Sequence, residues 1–424
     1  MNGPIPGALT RAADRPAVGI VDPFSTGAYL KDAFTARGWR VVAVTSQWPL
    51  PDIYAGSLRP DEFDQVVFGQ GDAAATAAEL ARVPLRAVVA GTEIGVRFAD
   101  ELAESLSLEG NGTALSEARR DKAAMAARLR EKGLRHVRTF EARSEAEAVE
   151  QALSLGRWPV VVKPADSAGS DGVTFCDSPE AVRQTFTKLH GETNRMGLAN
   201  HKVLIQELLV GQQYFVNTVS RAGRHHIAEI WRDDRRRIPG AGLVCDCESL
   251  LPARGDVQDR LGAYITGVLD ALGIAWGPAH SELMLTASGP VLIETAARMQ
   301  GTILTGPVEQ ATGTSQVSLT VEAVTDPDRF DARAERPYEL TQGLSVLSLI
   351  AHRDGVIRAP DVAARLAALP SFSGLIGDLS QGVPVQPTVD LFTSPGIVYL
   401  LGDDEQVARD RAAIRAFEAE GLYG

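Results

Sequence analysis

Short apolar runs, glycine-containing turns and helix-length amphipathic stretches alternate along this chain. The stretch "AVGIVDPFSTGAYLKDAFTARGWRVVAV" begins with a continuous apolar run, passes a turn, shows helical periodicity, stops at Gly38 and resumes an apolar run. That order predicts a strand–helix–strand unit of a parallel sheet, with Ser25 or Thr26 capping the helix. A second unit ends in "RAVVAGTEIGVRFADELAESL", where the apolar residues 87–90 give way to Gly91, Thr92 and a helix. Open α/β sheets bind ligands at the carboxyl ends of their strands, where both turns fall. Neither turn has the G-x-G-x-x-G spacing of a dinucleotide site. Glu93, at a helix start, either complements the helix dipole or receives a substrate ammonium.

Further on, "LSEARRDKAAMAARLREKGL" predicts an amphipathic helix closed by Gly133, with Lys122 on a solvated face. "RWPVVVKPADSAGSDGV" puts Lys163 at the end of a wholly apolar strand, where an ammonium requires an anion. The following loop, Ser167 to Gly172 with Gly169 and Ser170 inside it, offers backbone N–H groups suited to phosphate. The lysine precedes this loop, so it is not a Walker motif. "KVLIQELLVGQQYFVNTVS" reads as a strand, a break at Gly211 and another strand. It is either a plain hairpin or a hinge whose backbone reads an adenine edge.

"HSELMLTASGPVLIETAARMQG" has the pattern of a buried hairpin. A three-residue loop centred on Ser288 sets Glu282 opposite Glu294. Two carboxylates in that relation repel unless a cation lies between them, and a hard divalent cation such as Mg2+ fits. Continued extension would put Glu294, Ala296 and Arg298 on one face, with Arg298 available to a phosphate oxygen.

Composition narrows the class. At 424 residues and a formal charge of −12, the chain is long enough for two to three domains and is a poor partner for nucleic acid. The cluster "RDDRRR" (232–237) is interrupted by acids and reads as a solvated loop or a local phosphate contact. No apolar stretch is long enough for a membrane span, and the N-terminal residues lack a signal core, which points to the cytoplasm. Cys176, Cys245 and Cys247 make no disulfide framework; the last two are expected on one face of a short strand.

Taken in order, "RRDKAAM", "PVVVKPADSAGSDGV", "QELLVGQQYFVNTVS" and "HSELMLTASGPVLIETAARMQG" resemble the nucleotide and metal motifs of the ATP-grasp superfamily, most closely its carboxylate-amine (amino-acid) ligases. The resemblance implies a mixed α/β and α+β ATP-grasp fold: a Rossmann-like parallel-sheet domain (1–114), a nucleotide-binding region with a mobile lid (115–330) and a C-terminal α+β lobe (331–424) covering the site. It implies ATP with Mg2+ (or Mn2+) as cofactors. Lys122, Lys163, Ser167, Gly169, Ser170 and Gly172 would contact the phosphates, while Gln206, Glu207 and Leu209 would line the adenine hinge. Gln213 would reach the ribose, where many members have glutamate; Glu282 and Glu294 would hold the metal; Arg298 would bind the transferred phosphoryl group.

The implied reaction joins a carboxylate to an amine through an acyl phosphate, giving a dipeptide or γ-glutamyl product. Glu93, Trp231, His280 and Gly301 are candidates for the substrate wall, with the "WRDDRRRIPGAGLVCDCES" loop beside them. Partners would be small amino-acid-like molecules, with neither nucleic acid nor membrane, and a homodimer agrees with the family. Ala296 stands where many members have a metal-binding asparagine, which bears on a second Mg2+. A biotin-dependent-type carboxylase, a purine-pathway ligase and a non-catalytic ATP-binding regulator are the competing readings.

Overall fold

The structure, a computed structural model, describes residues 15–54, 56–165, 172–194, 199–238, 242–334 and 336–421. Its first sheet is parallel, with β1 (Ala17–Val21), β2 (Arg40–Thr45), β3 (Gln65–Phe68) and β4 (Leu85–Ala90) in the order β3-β2-β1-β4. Helices α1 (Tyr29–Ala36) and α2 (Ala73–Leu80) supply the crossovers from β1 to β2 and from β3 to β4, and α3 (Val96–Ser105) follows β4. The strand order changes direction between β1 and β4, so the two turns foreseen as ligand-facing lie side by side. They touch at glycines: a Cβ on Gly27 would fall 2.4 Å from the Gly91 carbonyl oxygen, and one on Gly91 2.4 Å from that of Asp22.

Neither Ser25 nor Thr26 caps α1. Their hydroxyls accept instead from the N–H groups of Thr302 (3.3 Å) and Ile303 (3.2 Å), tying the first turn to a segment nearly 280 residues later.

A run of turns over 114–120 leads to α4 (Lys122–Glu131), capped by Asp121, and to a small antiparallel sheet. This sheet contains β5 (Thr139–Ala142), β6 (Val160–Pro164), β7 (Thr174–Cys176) and β8 (Val203–Glu207) in the order β5-β8-β6-β7. Helices α5 (Glu145–Ser154) and α6 (Pro179–Leu189) cover it through a core of Ala148, Val160, Val182 and Phe186.

The chain then enters an eight-stranded antiparallel sheet. β9 (Gly211–Arg221), β10 (Arg224–Ile238), β11 (Gly242–Leu250), β12 (Gly277–Thr286) and β13 (Gly289–Ala296) come first, and β14 (Gly343–Ser348), β16 (Phe372–Ile376) and β18 (Ile397–Gly402) extend it. The order is β13-β12-β9-β10-β11-β14-β18-β16, with a separate two-residue ladder of β15 (Gly355–Val356) and β17 (Pro384–Val385). β8 and β9 belong to different sheets, so residues 208–210 form a link between layers and not a plain hairpin. The C-terminal stretch is woven into the same sheet as the β12–β13 hairpin, through Cys247↔Leu347 and its neighbours.

Packed around this sheet are α7 (Asp256–Leu272), α8 (Thr305–Thr312), α9 (Gln316–Thr325), α10 (Pro327–Ala334), α11 (Val362–Ala367) and α12 (Asp404–Ala419). Among the described residues no helix is long and apolar enough to cross a membrane.

Two local expectations fail in the β10–β11 pair. "RDDRRR" is not a loop but part of β10, where alternation sends Arg235 to one face with Asp233 and Arg236 to Asp246. Opposite it, Asp234 pairs with Cys247 and Arg235 with Cys245, leaving Asp246 as an extra residue. That bulge reverses the alternation. Cys245 therefore lines a cavity, while Cys247 packs with Leu347 and Val398 in the opposite core.

Candidate active site

The hairpin of β12 and β13 brings Glu282 opposite Glu294 by a route the loop count did not foresee. Thr286 pairs with Gly289, so the loop has two residues, Ala287 and Ser288. The register then shifts between Leu283↔Leu292 and Glu282↔Glu294, with Ile293 as the extra residue. A shorter loop and a bulge cancel, and the two acids face each other.

Both acids are partnered from other elements. Asp121 caps α4 by accepting from Ala123 N (2.8 Å) and Ala124 N (2.9 Å), which makes Lys122 the first helical residue. Lys122 is not on a solvated face: its ammonium lies 2.8 Å from Glu294 Oε2, with the side chain only 11% exposed. Lys163, buried near the end of β6, has its ammonium pushed down to about 8 by burial and by the charge of Lys122, against the pull of Glu294 and Glu282. Glu282 accepts from Gln213 Nε2 (3.0 Å), and His280 Nε2 stands 3.8 Å away. Gln213 is thus engaged by the acid pair in this structure.

Glu93 is held between two guanidiniums, Arg120 and Arg298, the latter donating from Nε at 2.7 Å. Burial alone would raise its carboxyl, but Arg120, Arg298 and Lys122 outweigh burial and hold it at about 2. β13 ends at Ala296, so Arg298 reaches this position from the bend that follows the strand. Behind the acids a buried network runs across the sheet. His280 Nδ1 lies 2.8 Å from Asn217 Oδ1, and Asn217 Nδ2 donates to Glu229 (2.6 Å) and Gln300 (2.7 Å). Gln300 Nε2 donates in turn to Glu248 (3.2 Å).

These groups surround a cavity of about 200 Å³. Glu93, His280, Glu282, Glu294, Arg298 and Gly301 line it, as do Gly91 and Thr92 of the parallel sheet. Trp231 does not line it: it is fully buried among Phe215, Leu250 and Ile303. Ser167, Gly169 and Ser170 lie outside the described residues. Gly172 takes φ +70°, with Pro164 and Leu189 within 3.0 Å of where a Cβ would sit. Gln206 is buried and donates to Thr139 Oγ1 (2.8 Å), while the Glu207 carboxylate accepts from Arg138 N (2.9 Å). Leu209 sits in the link between the two sheets.

The sequence reading missed Arg120, Arg235, Asn217, Glu248 and Gln300, and the wall supplied by Val346, Leu391, Phe392 and Ile397. Arg120 had a signal, since it sits two residues before Lys122. The others are set by pairing across long sequence distances.

The ATP-grasp domain family matches residues 156–306, which hold Lys163, the linking segment and the acid hairpin. Residues 156–306 are thus an ATP-grasp domain. Dapdiamide A synthase of Enterobacter agglomerans is 29% identical over 408 residues, covering 95% of each chain. The structure of L-amino acid ligase from Bacillus licheniformis aligns with a TM-score of 0.74 at 18% identity, over 96% of this chain and 98% of that one. That of carboxyaminoimidazole ribonucleotide synthase from Aspergillus clavatus, complexed with ATP, aligns at 0.69 and 15%, over 97% and 100%. The proteins it resembles over nearly its whole length thus include two named for synthesis or ligation, dapdiamide A synthase and L-amino acid ligase.

Proposed function

We propose that this ATP-grasp ligase activates the carboxylate of one amino-acid-like substrate as an acyl phosphate and joins it to the amine of another, releasing ADP and phosphate. The observation that carries the reading is the facing pair Glu282 and Glu294, with Lys122 on Glu294 and Arg298 lining the same cavity. The relatives named for dapdiamide and L-amino acid ligation support a dipeptide-like amide as product.

Two facing carboxylates in a cleft rich in cations fit a hard divalent ion whose other ligands are phosphate oxygens. Mg2+ held by Glu282 and Glu294 would supply charge neutralisation at the transferring phosphoryl group.

The chain's own groups do the rest. Lys163 and Lys122 hold phosphate oxygens, and the link at Gln206, Glu207 and Leu209 holds the adenine. Arg298 stabilises charge on the phosphoryl group as it passes to the substrate carboxylate. Glu93 keeps Arg298 extended into the cavity through the 2.7 Å contact. The wall of Val346, Leu391 and Phe392 excludes water, which would hydrolyse an acyl phosphate.

The test is to incubate the protein with Mg-ATP and pairs of amino acids, following phosphate release and product mass. Pair-dependent release with a mass equal to both substrates less one water is expected. Release driven only by bicarbonate or a phosphorylated amine would refute the reading.

A further inference from the structure

An amine arrives at a ligase as an ammonium, which has no lone pair. It must shed a proton before it can attack an acyl phosphate. We infer that Glu248 seats the ammonium of the amine-donating substrate and takes that proton, an inference that rests on the ligase reading above.

The cavity's other acids are engaged. Glu93 is held by Arg120 and Arg298, Glu294 by Lys122, and Glu282 by Gln213. Asp390 accepts from the N–H and hydroxyl of Thr393. Glu248 lines the same cavity, and its contacts are neutral donors: Gln300 Nε2 at 3.2 Å and the Cys245 thiol at 3.8 Å. The charged groups facing it are Asp233 and Arg235 from β10, bound to each other at 2.7 Å, and Glu282 from β12. The surroundings are acid-rich, so a cationic ligand is the one they favour. Burial pushes the Glu248 carboxyl up to about 8, with the charge of Asp233 adding to it, so the empty site holds it largely protonated at neutral pH, and an arriving ammonium or a pH above about 8 favours the carboxylate that accepts the proton.

Its place in the sheet agrees. Glu248 pairs with Asp233 on one side and with Val346 of β14 on the other. It marks the border between the polar half of the cavity and the apolar wall of Val346, Leu391, Phe392 and Ile397. An amino acid whose ammonium rests on Glu248 can lay an apolar side chain on that wall.

The step balances as follows. The ammonium gives one proton to the Glu248 carboxylate, and the freed lone pair bonds to the acyl carbon. The carbon–oxygen bond to phosphate breaks, its electrons leaving with the phosphate, which also takes the second nitrogen proton. Glu248 then returns its proton to solvent.

Hydroxylamine, uncharged near neutral pH, traps acyl phosphates as hydroxamates without needing a base, and so separates the two halves of the reaction. In Glu248→Gln the ratio of amide formation to ATP-dependent hydroxamate formation should fall by about 10²–10⁴-fold. The deficit should shrink as rising pH deprotonates the amine in solution. In Glu248→Ala, added formate should restore amide formation. An unchanged ratio in E248Q, or no response of E248A to formate while hydroxamate still forms, would overturn the proposal. Absence of hydroxamate in the wild-type enzyme would instead overturn the ligase reading.

Discussion

Replacing Glu93 by glutamine removes one negative charge and leaves two guanidiniums facing each other, with side chains only 14% and 13% exposed. The size of the effect follows from the carboxyl itself, which lies at about 2 against an ordinary 4.5. That gap, at about 1.36 kcal/mol per pH unit, corresponds to about 3 kcal/mol. It matches the roughly 3–5 kcal/mol lost when one member of a buried ion pair is removed. Because the folded value is depressed, the contribution is fully present above about 4.5 and is lost as the pH falls through about 2. Urea unfolding of wild type and E93Q near neutral pH should therefore show a loss of about 3 kcal/mol, narrowing below about pH 4.5. Phosphate or sulfate should stabilise E93Q more than the wild type, since the arginines are left seeking an anion. A change under about 0.5 kcal/mol, typical of an ordinary surface substitution, would refute the reasoning.

Three further outcomes follow from the same geometry. Lys163 is held at about 8 against 10.5, so apo-protein stability should rise with pH across that interval; Lys163→Met should stabilise the apo form near neutral pH by up to about 3 kcal/mol while abolishing Mg-ATP-dependent turnover. Thermal unfolding and phosphate release check this, and a destabilised or fully active K163M would contradict it. Gln213→Leu removes the 3.0 Å donor to Glu282 and should weaken Mg2+ dependence by about 10–100-fold in a metal titration of ATP turnover, with no change arguing against Glu282 as a ligand. Gly91→Ala places a Cβ 2.4 Å from the Asp22 carbonyl oxygen and should cost about 1–3 kcal/mol or more in chemical denaturation; a neutral result would mean that the turns separate freely.

The sequence by itself determined the local units and the chemistry within them. Continuous apolar runs closed by glycine are local signals, and β1, α1 and β2 formed where "AVGIVDPFSTGAYLKDAFTARGWRVVAV" placed them. A lysine ending "PVVVK" and two acids flanking "ASG" are likewise local, and all three groups reach one cleft region. Even so, Glu282 met Glu294 through a two-residue loop and a bulge, a compensation that composition does not reveal.

What only the tertiary structure decided is who stands beside whom. The bulge at Asp246 sends Cys245 to the cavity and Cys247 to a core, because one extra residue inverts strand alternation. Lys122, at the start of α4, is paired with Glu294 of β13, and Trp231 is core because Phe215, Leu250 and Ile303, from three other segments, close around it. Glu93 meets Arg298 across 205 residues, and Glu248 meets Val346 across a strand pair formed by the C-terminal stretch. Pairings over such distances depend on how sheets stack and which strands become neighbours, a property of the folded chain that no window of its sequence contains.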